Sequence, residues 1–139
     1  MTALVLDLAV NPVPLERART VTSTRFGNTS TRSFTPEKSK AFKDEFQWAA
    51  RAAGARGAPT AARVSVGLQF WRHHRGAHCG DLDNLVKAVL DAGNQFLWVD
   101  DRQVRHLDAR IVDDGPTVTG RIVLTVEELN PAQLAGVPA

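Results

Sequence analysis

Residues 82–90 carry a helical repeat that any fold of this chain has to bury. Leucine and valine side chains recur there at positions i, i+3, i+4, i+7 and i+8: Leu82, Leu85, Val86, Val89 and Leu90. At 3.6 residues per turn these positions share one face, so the repeat predicts an amphipathic helix packed against another layer. Gly93 and Asn94 are typical of the end of such a helix.

Alternating apolar and polar residues predict the layer that this helix covers. Within residues 62–71 every second side chain is apolar: Val64, Val66, Leu68 and Phe70. This alternation predicts a strand with one buried face. Weaker signals predict strands over residues 3–9, 104–112 and 117–126, and a short apolar strand over 96–99. A second helix is predicted from Thr35-Pro36, an N-cap followed by proline, to Gly54.

Together these elements predict an α+β fold with a mixed or antiparallel sheet of about four strands, packed with two helices. A length of 139 residues suits a single domain, which we place at residues 1–129. Residues 15–34 show little periodicity and are expected to form an irregular basic arm. Residues 130–139 are expected to be a loosely ordered tail.

The charge of the chain is unevenly divided. Residues 1–76 hold 12 Lys and Arg against 5 Asp and Glu, whereas residues 77–139 hold 5 against 10, and the whole chain carries +2. A basic surface binds phosphates and releases their counterions. A concentrated acidic site usually needs a cation to hold its carboxylates together. The division therefore suits an enzyme that binds nucleic acid and a metal, although segregated surface charge would look the same.

Aspartates are concentrated where the predicted helix begins and where the short apolar strand ends. Asp81 and Asp83 open the helix, and Asp100 and Asp101 follow the strand. Each has an ordinary interpretation, because aspartates cap helix N-termini and pair with a lysine four residues away, as Lys87 would. A Mg²⁺ site explains the whole cluster, because Mg²⁺ prefers carboxylate oxygens. Such a Mg²⁺ site requires the start of the predicted helix to lie within a few ångströms of the end of the predicted short strand.

The segment that contains these aspartates also resembles a known protein family. The string D-L-D-N-L-x-K-A-x-L-D-A at residues 81–92, followed by W-V-D-D-x-Q at 98–103, resembles the RusA family of Holliday-junction resolvases. The similarity extends more loosely to the first strand, to the segment Val13–Arg19 and to the Thr-Pro helix start. Family members often carry Pro before the first Asp and a small residue after the Asp-Asp pair, where this chain has Gly80 and Arg102.

The resemblance implies a homodimeric, Mg²⁺-dependent endodeoxyribonuclease, with Mn²⁺ able to substitute, that resolves four-way DNA junctions by paired symmetric nicks. It implies that Asp81, Asp83 and Asp101 are catalytic and hold the metal, with Asp100 the second choice, and that Lys87 is the catalytic lysine. It also implies a phage or prophage origin and a bacterial host. A cytoplasmic location agrees with the single cysteine, Cys79, which excludes an internal disulfide framework.

Junction binding requires a basic surface beside the acidic site. The predicted phosphate contacts are the basic residues of the arm and of the first helix: Arg17, Arg19, Arg25, Arg32, Lys38, Lys40 and Lys43. No apolar stretch approaches the roughly 20 residues of a membrane-spanning helix, so no membrane partner is expected.

Other interpretations remain open at this stage. The same carboxylates would serve a flap nuclease or another branched-DNA nuclease, and a non-catalytic DNA-binding module could use them as helix caps. His73, His74, His78 and Cys79 suggest zinc, but their spacing matches no common finger pattern. The three tryptophans, Trp48, Trp71 and Trp98, are predicted to lie in the core.

Overall fold

A computed structural model describes residues 3–15, 19–25, 27–34, 37–73, 80–114 and 119–134. The strands are β1 (Leu4–Leu8), β2 (Arg19–Arg25), β3 (Asn28–Phe34), β4 (Val64–Arg72), β5 (Val104–Asp114) and β6 (Arg121–Glu128). The helices are α1 (Glu37–Ala52), α2 (Leu82–Gly93) and the short α3 (Pro131–Leu134), and a 3₁₀ turn covers Asp101–Gln103.

The main sheet is mixed and has four strands in the order β1-β6-β4-β5. β6 pairs antiparallel with both β1 and β4, whereas β4 and β5 are parallel. Because parallel neighbours need a crossover, the chain leaves the end of β4, passes through α2 and returns to the start of β5. The predicted α+β single-domain fold is confirmed, and the four main-sheet strands lie close to their predicted ranges.

The core lies between this sheet and the two long helices. β4 alternates strictly between buried and half-buried positions, so its valine, leucine and phenylalanine side chains face inward. They pack with α1 through Phe42 and Phe46 and with α2 through Leu85 and Val89 in one apolar cluster. The helical repeat and the strand alternation are therefore both explained by burial against each other.

Residues 15–34 do not form the irregular arm that the sequence predicted. β2 and β3 are an antiparallel hairpin, in register from Arg19 opposite Phe34 to Arg25 opposite Asn28. Gly27, between them, has a φ of 79°, in the left-handed region that favours glycine. The many threonines have high strand propensity, but the hairpin presents polar residues on both faces and so shows no hydrophobic period.

One further prediction differs from the structure. Residues 96–99 form turns instead of a strand, because the chain folds back on the end of α2: the Trp98 amide donates to the Gly93 carbonyl, and the Trp98 indole N–H donates to the Asn94 side chain. Within residues 130–139 the structure describes the short helix α3, whose residues are exposed, and the loosely ordered tail stays a prediction. The predicted Thr35-Pro36 cap lies outside the described residues, as do three of the four residues that suggested zinc, His74, His78 and Cys79.

Candidate active site

The N-terminus of α2 is set by a glycine. Gly80 has a φ of 76°, and a Cβ at this position would overlap the ring of Pro14. Its carbonyl accepts a hydrogen bond of 2.6 Å from Nη1 of Arg72, the last residue of β4. Glycine therefore permits both the left-handed backbone and the close approach that start the helix here.

Asp81 and Asp83 stand at this end of α2 with exposed side chains. Asp81 is the N-cap residue with extended backbone, at φ −89° and ψ 161°, yet its carboxylate makes no capping hydrogen bond. The interpretation of Asp81 as a side-chain cap is therefore wrong. Both carboxylates are available to a cation, and the positive end of the helix dipole lies beneath them.

Lys87 lies one turn along α2 from Asp83 and is exposed. Within the described ranges it forms no ion pair, either with Asp83 or with Asp91. The sequence left open that this lysine serves ordinary surface pairs along the helix, and the structure shows none. Its ammonium group can therefore reach a bound anion near the start of α2.

Asp100 caps the 3₁₀ turn that lies near the other end of α2. Its carboxylate accepts hydrogen bonds from the Arg102 amide at 3.1 Å and from Arg102 Nε at 2.9 Å. The Gln103 side chain completes a capping box by accepting from the Asp100 amide. The bonds from Arg102 hold the pKa of Asp100 below its ordinary value, mainly through the backbone N–H.

Asp101 lies beside the C-terminal end of α2. Partial burial raises the pKa of its carboxyl above the ordinary value, and the neighbouring Asp100 carboxyl adds to the rise. The Asn94 side chain, at the helix C-cap, partly offsets it by hydrogen bonding, whereas the charge of Asp91 raises the pKa further. Asp101 is thus surrounded by acids and lies next to the residues that close α2.

The predicted convergence of Asp81, Asp83 and Asp101 within one chain is therefore wrong. α2 has 12 residues, and a helix of that length separates its two ends by about 18 Å. The physical reason is the parallel crossover: Val104, which begins β5, pairs with Val64, which begins β4. The segment between β4 and β5, which contains α2, must therefore run back along the full length of β4. Asp101 then lies at the end of α2 opposite Asp81. Accordingly, the described residues contain no group of three His, Cys, Asp or Glu side chains that could hold a metal ion.

Comparison with known proteins identifies the family. The family model described as "Endodeoxyribonuclease RusA" matches residues 9–127. The chain belongs to the RusA family. The matched range includes three of the four main-sheet strands, β4, β5 and all but the last residue of β6, and both ends of α2, so the family expectation from residues 80–104 is confirmed. This RusA-family protein is an endodeoxyribonuclease that acts on DNA junctions. No curated protein matches the chain.

The predicted DNA-binding residues of the RusA-family chain fall into two groups. Lys38, Lys40 and Lys43 lie on α1, the first two exposed and the third half-buried. Arg19 and Arg25 belong to β2, and Arg32 belongs to β3 opposite Val21. This register places the three arginines on one face of the hairpin. Arg17 lies outside the described residues.

The prediction that all three tryptophans are core residues is correct only for Trp98, which is fully buried. Trp48 is 72% exposed. The sequence held a signal for this, because Trp48 follows the buried Phe46 by two residues, about 200° around the helix. Trp71 is half-buried on the side of the sheet away from the core, where the Arg121 guanidinium lies 4.5 Å from its ring centre.

Arg121 also forms the best-defined ion pair in the described residues, with two hydrogen bonds to Asp7 of 2.8 and 2.7 Å. Sequence analysis missed this group, since nothing local connects residues of β1 and β6. No helix among the residues that the structure describes is long and apolar enough to cross a membrane.

Proposed function

We propose that this protein is a Mg²⁺-dependent homodimeric resolvase that cuts four-way DNA junctions by paired symmetric nicks, with each active site shared between two subunits. The observation that carries the proposal is the separation of the acids: Asp81 and Asp83 lie at one end of α2 and Asp101 at the other. A two-fold dimer in which the α2 helices run antiparallel would bring the first pair to Asp101 of the partner subunit. Two such sites, related by the same axis, suit a two-fold DNA junction.

The donor set fits the metal in its chemistry. Mg²⁺ is usually held by one or two carboxylates together with water and substrate phosphate oxygens, and Mn²⁺ accepts the same ligands. Asp81 and Asp83 provide two exposed carboxylates that no cap or ion pair in the described residues occupies. The partner's Asp101 would provide the third. When bound, the ion stabilises the charge that develops on the phosphoryl oxygens.

The remaining roles belong to groups of the chain itself. Lys87 would donate a hydrogen bond to a phosphate oxygen near the start of α2, where negative charge increases during hydrolysis. One of the three aspartates would accept the proton of the attacking water. Asp100 is the weaker choice as a metal ligand, because both of its carboxylate oxygens already accept hydrogen bonds from Arg102.

The DNA surface of the proposal consists of α1 and the β2–β3 hairpin. The three lysines of α1, Lys38, Lys40 and Lys43, and the arginines on one hairpin face would contact phosphates, in line with the positive charge of residues 1–76. Branched DNA would be recognised by its shape. A cytoplasmic location and a phage or prophage origin belong to the same proposal, supported by the single cysteine and by the family resemblance.

Cleavage of synthetic DNAs tests the proposal. We expect two symmetric nicks in a four-way junction with Mg²⁺, loss of cutting with EDTA, and loss of cutting but not of junction binding in Asp83→Asn. Preferred cleavage of flap or three-way DNA would favour the alternative branched-DNA nuclease. Undiminished cleavage by Asp83→Asn would contradict the metal site. Binding without cleavage under any metal would indicate a DNA-binding module.

A further inference from the structure

The outer side of α1 carries the most exposed large apolar side chain of the described residues. Trp48 is 72% exposed and follows the fully buried Phe46 by two residues. Tryptophan is on average highly buried in folded proteins, because its indole is the largest apolar group among the side chains. Exposed aromatic side chains are enriched where proteins bind a partner or a ligand. Trp48 therefore presents a rigid apolar surface that no other part of the described chain covers.

Trp48 lines an open cavity of about 670 Å³ between the end of α1 and the turn that follows α2. This volume lies within the range of about 300–1,000 Å³ that is typical of ligand sites. The turn is held in place by Gln95, which has a φ of 62° and whose amide donates to the Trp98 carbonyl at 2.8 Å. Phe96, which comes next, is half-buried and lines the same cavity. The cavity is thus bounded by a helix and by a hydrogen-bonded turn.

The cavity is positively charged. Arg51 and Arg56 belong to its lining, and no acid is found among the described lining residues. Both arginines are exposed, and neither forms an ion pair within the described residues. The C-terminal end of α1 contributes a partial negative charge of about half an elementary charge, which is less than the two full charges of the guanidinium groups. The cavity therefore favours an anion.

One of these arginines is already oriented. The Arg51 guanidinium carbon lies 4.7 Å from the centre of the Phe96 ring, within the distance of a cation–π contact. Stacking occupies the face of the guanidinium, whereas its N–H groups point outward along the edge and can donate to a phosphate. A side chain held in this way loses less conformational freedom when it binds. Arg51 is therefore prepared to bind a phosphate beside Trp48.

The combination of groups indicates the class of ligand. A positively charged groove with an exposed aromatic ring is how proteins bind single-stranded nucleic acid, since bases stack on the ring and phosphates contact the cations. The chain belongs to a family of endodeoxyribonucleases, so DNA is the nucleic acid in question. Arg51 follows Lys40 by eleven residues, about three helical turns, so both lie on the same side of α1. The cavity thus continues the DNA surface proposed for α1.

We propose that this cavity binds an unpaired nucleotide of branched DNA, with the base stacked on Trp48 and the flanking phosphates bound by Arg51 and Arg56. A base inside a continuous duplex is stacked between its neighbours and cannot reach the indole. The cavity therefore selects DNA in which a base is free, as at a branch point.

The position of the cavity relates this nucleotide to the acids, and in that respect the inference rests on the proposed function. Gln95 directly follows Asn94, whose side chain hydrogen-bonds the Asp101 carboxyl. The cavity and Asp101 therefore lie at the same end of α2. A nucleotide bound against Trp48 would position the DNA strand beside this acid.

Binding of a single-stranded oligonucleotide of eight thymidines tests the stacking contact. Fluorescence anisotropy of the labelled oligonucleotide, with the full chain in EDTA, measures the dissociation constant without cleavage. We expect Trp48→Ala to raise this constant about five- to hundredfold. Trp48→Phe should retain most of the affinity, because a phenyl ring still stacks. Wild-type affinity in Trp48→Ala would overturn the proposal.

An abasic oligonucleotide of the same length separates the base from the phosphates. Wild-type protein should bind it as weakly as Trp48→Ala binds the thymidine oligonucleotide, and Trp48→Ala should show no further loss. Equal affinity of the wild-type protein for the two oligonucleotides would contradict stacking and overturn the proposal.

An exchange of arginines tests the phosphate contacts. Arg51→Ala should weaken binding of both oligonucleotides and reduce the slope of log K against log salt by about 0.7, the value for one phosphate contact in a single strand. Arg110→Ala is the matched control, because Arg110 is exposed, forms no ion pair within the described residues and pairs with Gln69 on the side of the sheet away from the helices. An equal loss in Arg110→Ala would show that overall charge and not the cavity binds the strand, and would overturn the proposal.

The intrinsic fluorescence of Trp48 reports on the cavity directly, because Trp71 is half-buried and Trp98 is buried. We expect the thymidine oligonucleotide to quench this emission in the wild-type protein and not in Trp48→Phe. An oligoglutamate peptide should leave it unchanged. Equal quenching by the peptide would assign the cavity to an acidic protein segment and overturn the proposal.

These measurements require neither metal nor cleavage, so they separate the cavity from the proposed function. Trp48-dependent binding of the oligonucleotide by a protein that fails to cut junctions would support the nucleotide site and contradict the proposed function. Mg²⁺-dependent junction cleavage by a protein whose Trp48→Ala variant binds the oligonucleotide with wild-type affinity would do the reverse.

Discussion

The carboxyl of Asp101 lies against the side chain of Asn94, the residue that caps the C-terminus of α2. Asp81 is the N-cap residue at the other terminus of the same helix, although its carboxylate makes no capping hydrogen bond. This relationship determines how the acids can act together, because about 18 Å of helix separates them in a single chain. A site built from all of them requires two chains.

Mixing inactive variants tests the shared site directly. In an Asp83→Asn/Asp101→Asn heterodimer, one shared site contains both substitutions and the other contains neither. We therefore expect junction cleavage to return when the two inactive proteins are mixed and allowed to exchange subunits, with one strand nicked per binding event. A gel that resolves single nicks from paired cuts measures the outcome.

The matched control mixes Asp83→Asn with Asp81→Asn. Both substitutions affect the same end of α2, so each shared site of the heterodimer keeps one defect and no activity should return. If the first mixture stayed inactive although heterodimers had formed, the carboxylates would not be shared between subunits in this way.

Lys87 is expected to act in the reaction and not in folding. Its side chain is exposed and forms no ion pair in the described part of the chain, so Lys87→Ala should change the free energy of unfolding by no more than about 0.5 kcal/mol. Loss of a group that stabilises transition-state charge should slow cleavage about 10²-fold or more. Single-turnover rates at saturating junction measure this effect.

Lys43→Ala provides the contrast. Lys43 lies on α1 in the proposed DNA surface, so its loss should weaken junction binding and lower the slope of log K against log salt by about 1. The rate at saturating DNA should stay unchanged. Equal effects of the two substitutions on binding and on rate would contradict the division of roles.

The sequence predicted those elements that bury one regular face. α2 and β4 show clear periods because each packs its apolar side into the same core. The β2–β3 hairpin was missed because Thr, Ser and Arg occupy both of its faces. Local periodicity cannot predict such a hairpin, because its strands are stabilised by pairing with each other and by the turn at Gly27.

The sequence proposes the acids of the candidate site, but it does not predict their arrangement. Periodicity locates α2 and β5 without showing whether β5 runs parallel or antiparallel to β4. The parallel pairing of Val64 with Val104 decides where Asp101 lies, and that pairing depends on contacts 40 residues apart along the chain. The position of Asp101 therefore depends on the topology of the sheet, which cannot be predicted from a local sequence pattern.

Gly80 is expected to be the glycine least tolerant of substitution near the site. An alanine there would take a left-handed backbone and also overlap Pro14. Gly27 isolates the first effect, because its φ of 79° resembles the 76° of Gly80 but nothing lies within 4 Å of a Cβ built on it. We expect Gly27→Ala to cost about 1–2 kcal/mol and Gly80→Ala to cost more, with a further loss of cleavage. Equal unfolding free energies for the two variants would show that the contact with Pro14 relaxes without cost.

The ion pair between Asp7 and Arg121 should make stability fall at acid pH. Hydrogen bonds from Arg121 hold the pKa of the Asp7 carboxyl below its ordinary value of 3.8. The ionised carboxylate is thus favoured in the folded state, so the pair stabilises the fold above that ordinary value, and the stabilisation is lost as the pH falls through the lowered pKa. Wild-type protein should therefore lose more stability than Asp7→Asn between about pH 5 and pH 2.5. Urea unfolding midpoints measure the two profiles, and the effect should be small because both groups are exposed. Parallel profiles would show that the pair contributes nothing to the pH dependence.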